Sequence, residues 1–185
     1  MEKFTQAISL EKYKHLQFPQ GLTIKDIELI IQQCENQQAT EDKNLLGFAQ
    51  SYLEAKDFST NPDNFEQTNA QQIEQLILKW APLIENRNEK GYRLVPVRLG
   101  VKTALAPEKI PQAMKSFCQA FAQVLNEGFA EDQGLLPLNP TILYKEFEEI
   151  HPFEDGNGRI GDLLWKMATT KETGSWPEKL PPKVF

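Results

Sequence analysis

Nine consecutive residues concentrate the chain's chemistry: His151-Pro152-Phe153-Glu154-Asp155-Gly156-Asn157-Gly158-Arg159. Two glycines flanking Asn157 free the backbone to turn successive N–H groups toward one point, as in an anion nest. A helix starting just behind the run adds positive potential at its N-terminus. That combination suits a phosphate. Asp155 is the residue type that holds a Mg²⁺ ion bridging phosphate oxygens. Arg159 supplies a fork-shaped cation for a polyphosphate. His151 is the one nearby side chain able to accept a proton near neutral pH.

Two other readings of the run compete. Asp155 to Ile160 imitates the middle of a calcium-binding EF-hand loop. With Gly158 at that loop's sixth position, Phe153 falls at the first and Leu164 at the twelfth. An EF-hand needs acidic ligands at both, so calcium binding is disfavoured. The blander alternative is a Gly-Asn-Gly turn between helices with His151 as a capping residue.

Composition narrows the field. The 185 residues carry 26 acidic against 20 basic side chains, a net charge of −6. An acidic balance argues against a nucleic-acid or anionic-membrane surface, which needs a basic face. Only two histidines, His15 and His151, and four arginines, Arg87, Arg93, Arg98 and Arg159, are present. Mechanisms that need several imidazoles or guanidiniums are thereby nearly excluded. Cys34 and Cys118 are far apart with no CxxC spacing, so they read as small buried hydrophobes rather than a disulfide or zinc pair. No stretch approaches the roughly 20 apolar residues of a membrane span, and Met1 to Leu10 does not look like a signal peptide. A soluble cytoplasmic protein is expected.

The elements that must position the run are mostly helical. Ile24, Ile27, Ile30, Ile31 and Cys34 recur at helical spacing, with Thr23 and Asp26 as a capping box. Leu45 to Leu53 marks a second helix. Ser59 to Asn64, with Pro62, reads as a loop. Thr68 then reads as the N-cap of a long helix burying Ile73, Leu76, Ile77, Trp80, Leu83 and Ile84. Residues 91 to 99 are the one extended segment, with Pro96 barring a central strand. Pro107 opens a further helix that Gly128 stops. Asn139-Pro140 caps and starts the helix leading to His151. Beyond Gly174, three prolines predict an extended arm.

The motif resembles the signature of the Fic (Fido) family, H-P-F-x-[D/E]-G-N-G-R-x-x-R. Residues 151 to 159 match its first nine positions without a gap, and the likeness extends upstream to about Gly91. The resemblance implies a mainly α fold, a helical bundle with a small β-hairpin flap, in a single domain over residues 1–185. Residues 1–66 would be N-terminal helices, 67–173 the core with the flap at about 91–99 and the motif at 151–162, and 174–185 the tail. The implied activity is AMP transfer from ATP to a protein Ser, Thr or Tyr hydroxyl. His151 would be the general base and Asp155 the Mg²⁺ ligand. Gly156, Asn157, Gly158 and Arg159 would bind the nucleotide, and Phe153 would anchor the loop. Tyr92, Arg93, Leu94, Val95 and Val97 would dock the target as an added edge strand. A regulatory protein is a further expected partner.

The chain departs from the pattern at its last position, where Asp162 replaces the second arginine. A carboxylate repels a γ-phosphate. Three residues from Arg159 on one helix, Asp162 is expected to pair with that arginine and weaken or redirect nucleotide use. The family's inhibitory pattern, [S/T]-x-x-x-E-[G/N], is also missing. Glu35-Asn36 is its nearest approach, with Ile31 where Ser or Thr belongs. A catalytically weakened nucleotide-binding module is therefore the alternative to a working transferase.

Overall fold

In the computed structural model, residues 10–129 and 138–184 are described; the expectations for residues 1–9 and 185 lie outside them. Helix α1 (Ile24–Asn36) starts at Thr23, whose hydroxyl accepts from the Asp26 N–H while the Asp26 carboxylate accepts from Thr23 N–H. Such a box satisfies two otherwise orphaned donors. Next comes α2 (Asp42–Thr60), burying Leu45, Phe48, Ala49 and Tyr52.

Two local expectations fail here. Residues around Pro62 form a short helix, α3 (Pro62–Gln67), instead of a loop, because Asn61 accepts from Asp63 N–H and Pro62 sits at the first helical position. Thr68 is consumed in closing that helix, its hydroxyl donating to the Asn64 carbonyl at 2.6 Å. Asn69 therefore caps α4 (Ala70–Ile84), reciprocated by Gln72.

A 3₁₀ turn at Asn86–Lys90 leads to a two-stranded antiparallel hairpin, β1 (Arg98–Leu99) and β2 (Lys102–Thr103), with Arg98 opposite Thr103. The chain then passes through α5 (Ile110–Glu127), α6 (Pro140–Ile150) and α7 (Asn157–Thr173). The fold is mainly helical with one small sheet, as expected. No described helix is long and apolar enough to cross a membrane.

The core lies where α2, α4, α5, α6 and α7 converge. Trp80, Phe48, Phe117, Phe121, Phe147 and Phe153 are wholly buried, each worth about 1.5–3 kcal/mol of transfer energy. Phe117 packs on both Phe121 and Phe147, at 5.7 and 5.6 Å between ring centres. Helices α2 and α4 come so close at Gly47 that an added Cβ would stand 1.7 Å from the Leu83 carbonyl oxygen. Cys34 and Cys118 are buried and unpaired, and burial pushes both thiols up to about 12.

The tail leaves α7 at Gly174 and is tied back by Trp176, whose indole N–H donates to the Tyr52 hydroxyl at 3.1 Å. Past that anchor it runs without regular structure toward the motif loop.

Candidate active site

His151 closes α6 in the left-handed conformation, φ 49° and ψ 63°, unusual for a residue with a side chain. Something must hold it there, and Arg93 does. Its guanidinium is buried and donates to the carbonyls of His151 (2.6 Å), Leu105 (2.6 Å), Val95 (2.9 Å) and Ile150 (3.3 Å). Its own N–H donates to the Pro152 carbonyl at 2.9 Å. One side chain thus grips both sides of the histidine. Burial is the largest influence and lowers the pKa of His151, with the Arg93 charge acting the same way, while the Glu148 carbonyl, second in size, and the Asp155 charge pull upward. The ring is neutral at pH 7, and its Nδ1 is buried without a hydrogen-bonding partner.

Beyond His151 the loop is stapled from within. The Asn157 side chain accepts from Phe153 N–H at 3.0 Å and donates to the Phe153 carbonyl at 2.9 Å. Phe153 is fully buried against Tyr92, as an anchor should be. Gly156 takes φ 79° as the N-cap of α7, and no side chain caps the helix. The first-turn N–H groups of Asn157 and Gly158 are left open to an anion.

Arg159 and Asp162 do not form the expected pair. Arg159 is fully buried, donating to the Ile84 carbonyl (2.8 Å) and to Gln37 (3.3 Å), with Nη2 lying 3.9 Å from Asp155. It supports the loop from beneath. Asp162, equally buried, pairs with Lys166 one turn on and accepts from Gln33 at 3.2 Å. The i,i+4 partner wins because Lys166 faces the same interior, whereas Arg159 points under the loop. Burial raises the Asp162 pKa, opposed by Lys166 and Gln33.

The expected flap is displaced as well. The paired strands lie at Arg98–Thr103, not at 91–99. Residues 92–96 run without strand pairing, because the Arg93 grip and the packing of Tyr92 hold the segment to the core, and only Val97, whose carbonyl accepts from Ala104 N–H at 3.0 Å, adjoins the hairpin. Tyr92 donates to Glu74 at 2.6 Å. Neither Tyr92 nor Arg93 is free to dock a target. Leu94, Val95 and Val101 are exposed, and Val97 is half-buried.

A cavity of about 430 Å³ opens over the loop, lined by Gln37, Tyr144, Glu148, His151, Asp155, Asn157, Gly158, Lys183 and Val184. His151, Asp155, Asn157 and Gly158 are brought together as the sequence suggested. Gln37, Glu148, Tyr144 and Lys183 come from outside the motif. Gln37 lies over Gly158, its amide nitrogen 2.4 Å from where a Cβ would be. Burial raises the Glu148 carboxyl to about 7. Only for Glu148 was there a signal in the sequence: it lies one helical turn before His151.

Asp155 stands at the cavity mouth. One oxygen accepts from Gly156 N–H at 2.7 Å, and the other pairs with Arg87 at 2.5 Å. Among the described residues no cluster of three or more His, Cys, Asp or Glu is placed to cage a metal. Mg²⁺ on a nucleotide needs no cage, since it keeps waters and takes one or two carboxylates besides the phosphates. A single exposed carboxylate beside two uncapped first-turn N–H groups fits that demand.

The helical bundle thus presents a left-handed histidine just before an uncapped Gly-Asn-Gly helix start. The chain belongs to the Fic/DOC family, whose sequence profile matches residues 64–167. Two solved structures are similar. One is a Fic domain-containing signalling protein from Bacteroides thetaiotaomicron: 22% identity, TM-score 0.49, covering 91% of this chain and 56% of the other. The second is a Fic family protein from Desulfovibrio desulfuricans: 20% identity, TM-score 0.44, covering 90% and 46%. This chain spans about half the length of each. No curated protein matches it.

Proposed function

We propose that the chain is a Fic-type nucleotidyltransferase that moves AMP from ATP to a Ser, Thr or Tyr hydroxyl of a protein target. The observation that carries this reading is the meeting, in one cavity, of a neutral imidazole with the open N–H groups of Asn157 and Gly158. The target hydroxyl gives its proton to His151 as its oxygen attacks the α-phosphorus, and pyrophosphate leaves. The N–H groups bind the phosphate oxygens that gain charge. Asp155 would hold Mg²⁺, which supplies charge neutralisation on the phosphates when bound. Leu94, Val95 and Val101 offer the apolar surface a target segment would meet.

A second reading has its own observation. Arg159 is buried under the loop and Asp162 is neutralised by Lys166, so no arginine lines the cavity. That favours a nucleotide-binding module with little turnover.

Incubation with α-labelled ATP, Mg²⁺ and candidate targets separates the two. Label transfer by the wild type, reduced 10²- to 10⁴-fold or about that in His151→Ala, is the expected result. Nucleotide binding without transfer in the wild type would establish the second reading instead.

A further inference from the structure

Most cations around the cavity are engaged by other groups or lie outside its lining. Arg93 is spent on backbone carbonyls, Arg159 lies beneath the loop, and Lys166 neutralises Asp162. Arg87 pairs with Glu85 and Asp155 outside the lining. The lining itself brings two carboxyl groups, Glu148 and Asp155, and one lysine, Lys183. Lys183 forms no ion pair among the described residues and is exposed. A polyphosphate entering this cavity meets two acids, the helix N-terminus and that one ammonium.

The tail is built to bring Lys183 there. Trp176 docks edge-on against Tyr52, 5.4 Å between ring centres, and hydrogen-bonds its hydroxyl. Lys179 lies 6.0 Å over the Trp165 ring. Pro181 and Pro182 then fix φ and stiffen the last step to the cavity. The ammonium is thus delivered on a tethered, stiffened arm.

We propose that Lys183 is a nucleotide-binding residue: the C-terminal arm supplies the cation that pairs with the polyphosphate in the His151 cavity. This deepens the nucleotidyltransferase reading and rests on it. It makes the phosphate site composite, with N–H donors from α7 and charge from the arm.

Titration calorimetry with ATP and with adenosine, in Mg²⁺ buffer, tests it on the full chain. Lys183→Gln should weaken ATP about tenfold, leave adenosine unchanged, and lose less at high salt. Lys183→Arg should retain most affinity, and Lys115→Gln, exposed on α5 and outside the cavity lining, should bind as wild type. Wild-type binding of ATP with equal or tighter binding by Lys183→Gln overturns the proposal and makes the arm a bystander or a cover. Failure of the wild type to bind ATP at all overturns the nucleotidyltransferase reading itself.

Discussion

Two acid–base pairs flank the motif helix, and they differ in everything except charge. Asp162 and Lys166 are almost completely buried, joined one turn apart and sealed by Gln33 and the Tyr52 ring. Asp155 and Arg87 meet at the cavity mouth, 44% and 57% exposed, from segments far apart in sequence. A buried pair has no exit: each charge is tolerated only because the other is there. An exposed pair is exchangeable, since water can take over from either partner. Asp162 is therefore part of the interior, while Asp155 stays accessible.

The sharpest way to break that contrast is Lys166→Met. It strands a buried carboxylate, and chemical denaturation should show a loss of about 3–5 kcal/mol. Asp162→Leu with Lys166→Met should recover most of it. Asp162→Arg, which superficially repairs the motif, should destabilise on the same scale by adding a guanidinium beside Lys166. If the single Lys166 variant is as stable as wild type, the pair is not the closed unit described here.

Next comes Asp155→Asn. Activity should fall roughly a hundredfold while the denaturation midpoint barely moves. A large stability loss would place Asp155 with the structural pair.

Glu148 offers a pH test of intermediate size. Its carboxyl, raised to about 7 by burial, is neutral in mild acid and charged above neutrality. Burial holds the His151 imidazole below its ordinary 6.5. ATP affinity should therefore fall several-fold, by roughly the repulsion of one added charge, as pH rises through 7, and Glu148→Gln should flatten the profile. An unchanged slope in that variant would assign the titration elsewhere.

The smallest effect belongs to Arg87→Gln. Stability should change by less than about 1 kcal/mol. The Mg²⁺ concentration for half-maximal activity should drop a few-fold, because a competing cation has left Asp155.

Much of the architecture was legible because local chemistry repeats. Thr23 with Asp26, and Asn139 before Pro140, cap helices where the sequence places them. Asn61-Pro62 carries the same cap-and-proline signal, yet Pro62 reads as a breaker because too few apolar residues follow to show a period. The motif residues also converge as expected, since adjacent positions share one loop. What stayed hidden depends on distant elements. Nothing in the spacing of Arg93 says that its guanidinium will face the His151 carbonyl across 58 positions of chain. Nor does helical periodicity choose between Arg159 and Lys166 as the partner of Asp162, since both are one turn away. Gln37 and Lys183 reach the cavity only because α1 ends there and the tail folds back.

The close approach at Gly47 extends further than its own helix. The Leu83 carbonyl that an added Cβ would strike immediately precedes the Ile84 carbonyl that receives Arg159. A side chain at position 47 would push the end of α4 outward and take away the acceptor under the loop that follows His151. A lesion in the N-terminal half, in no motif, would then disturb the loop at residues 151–159.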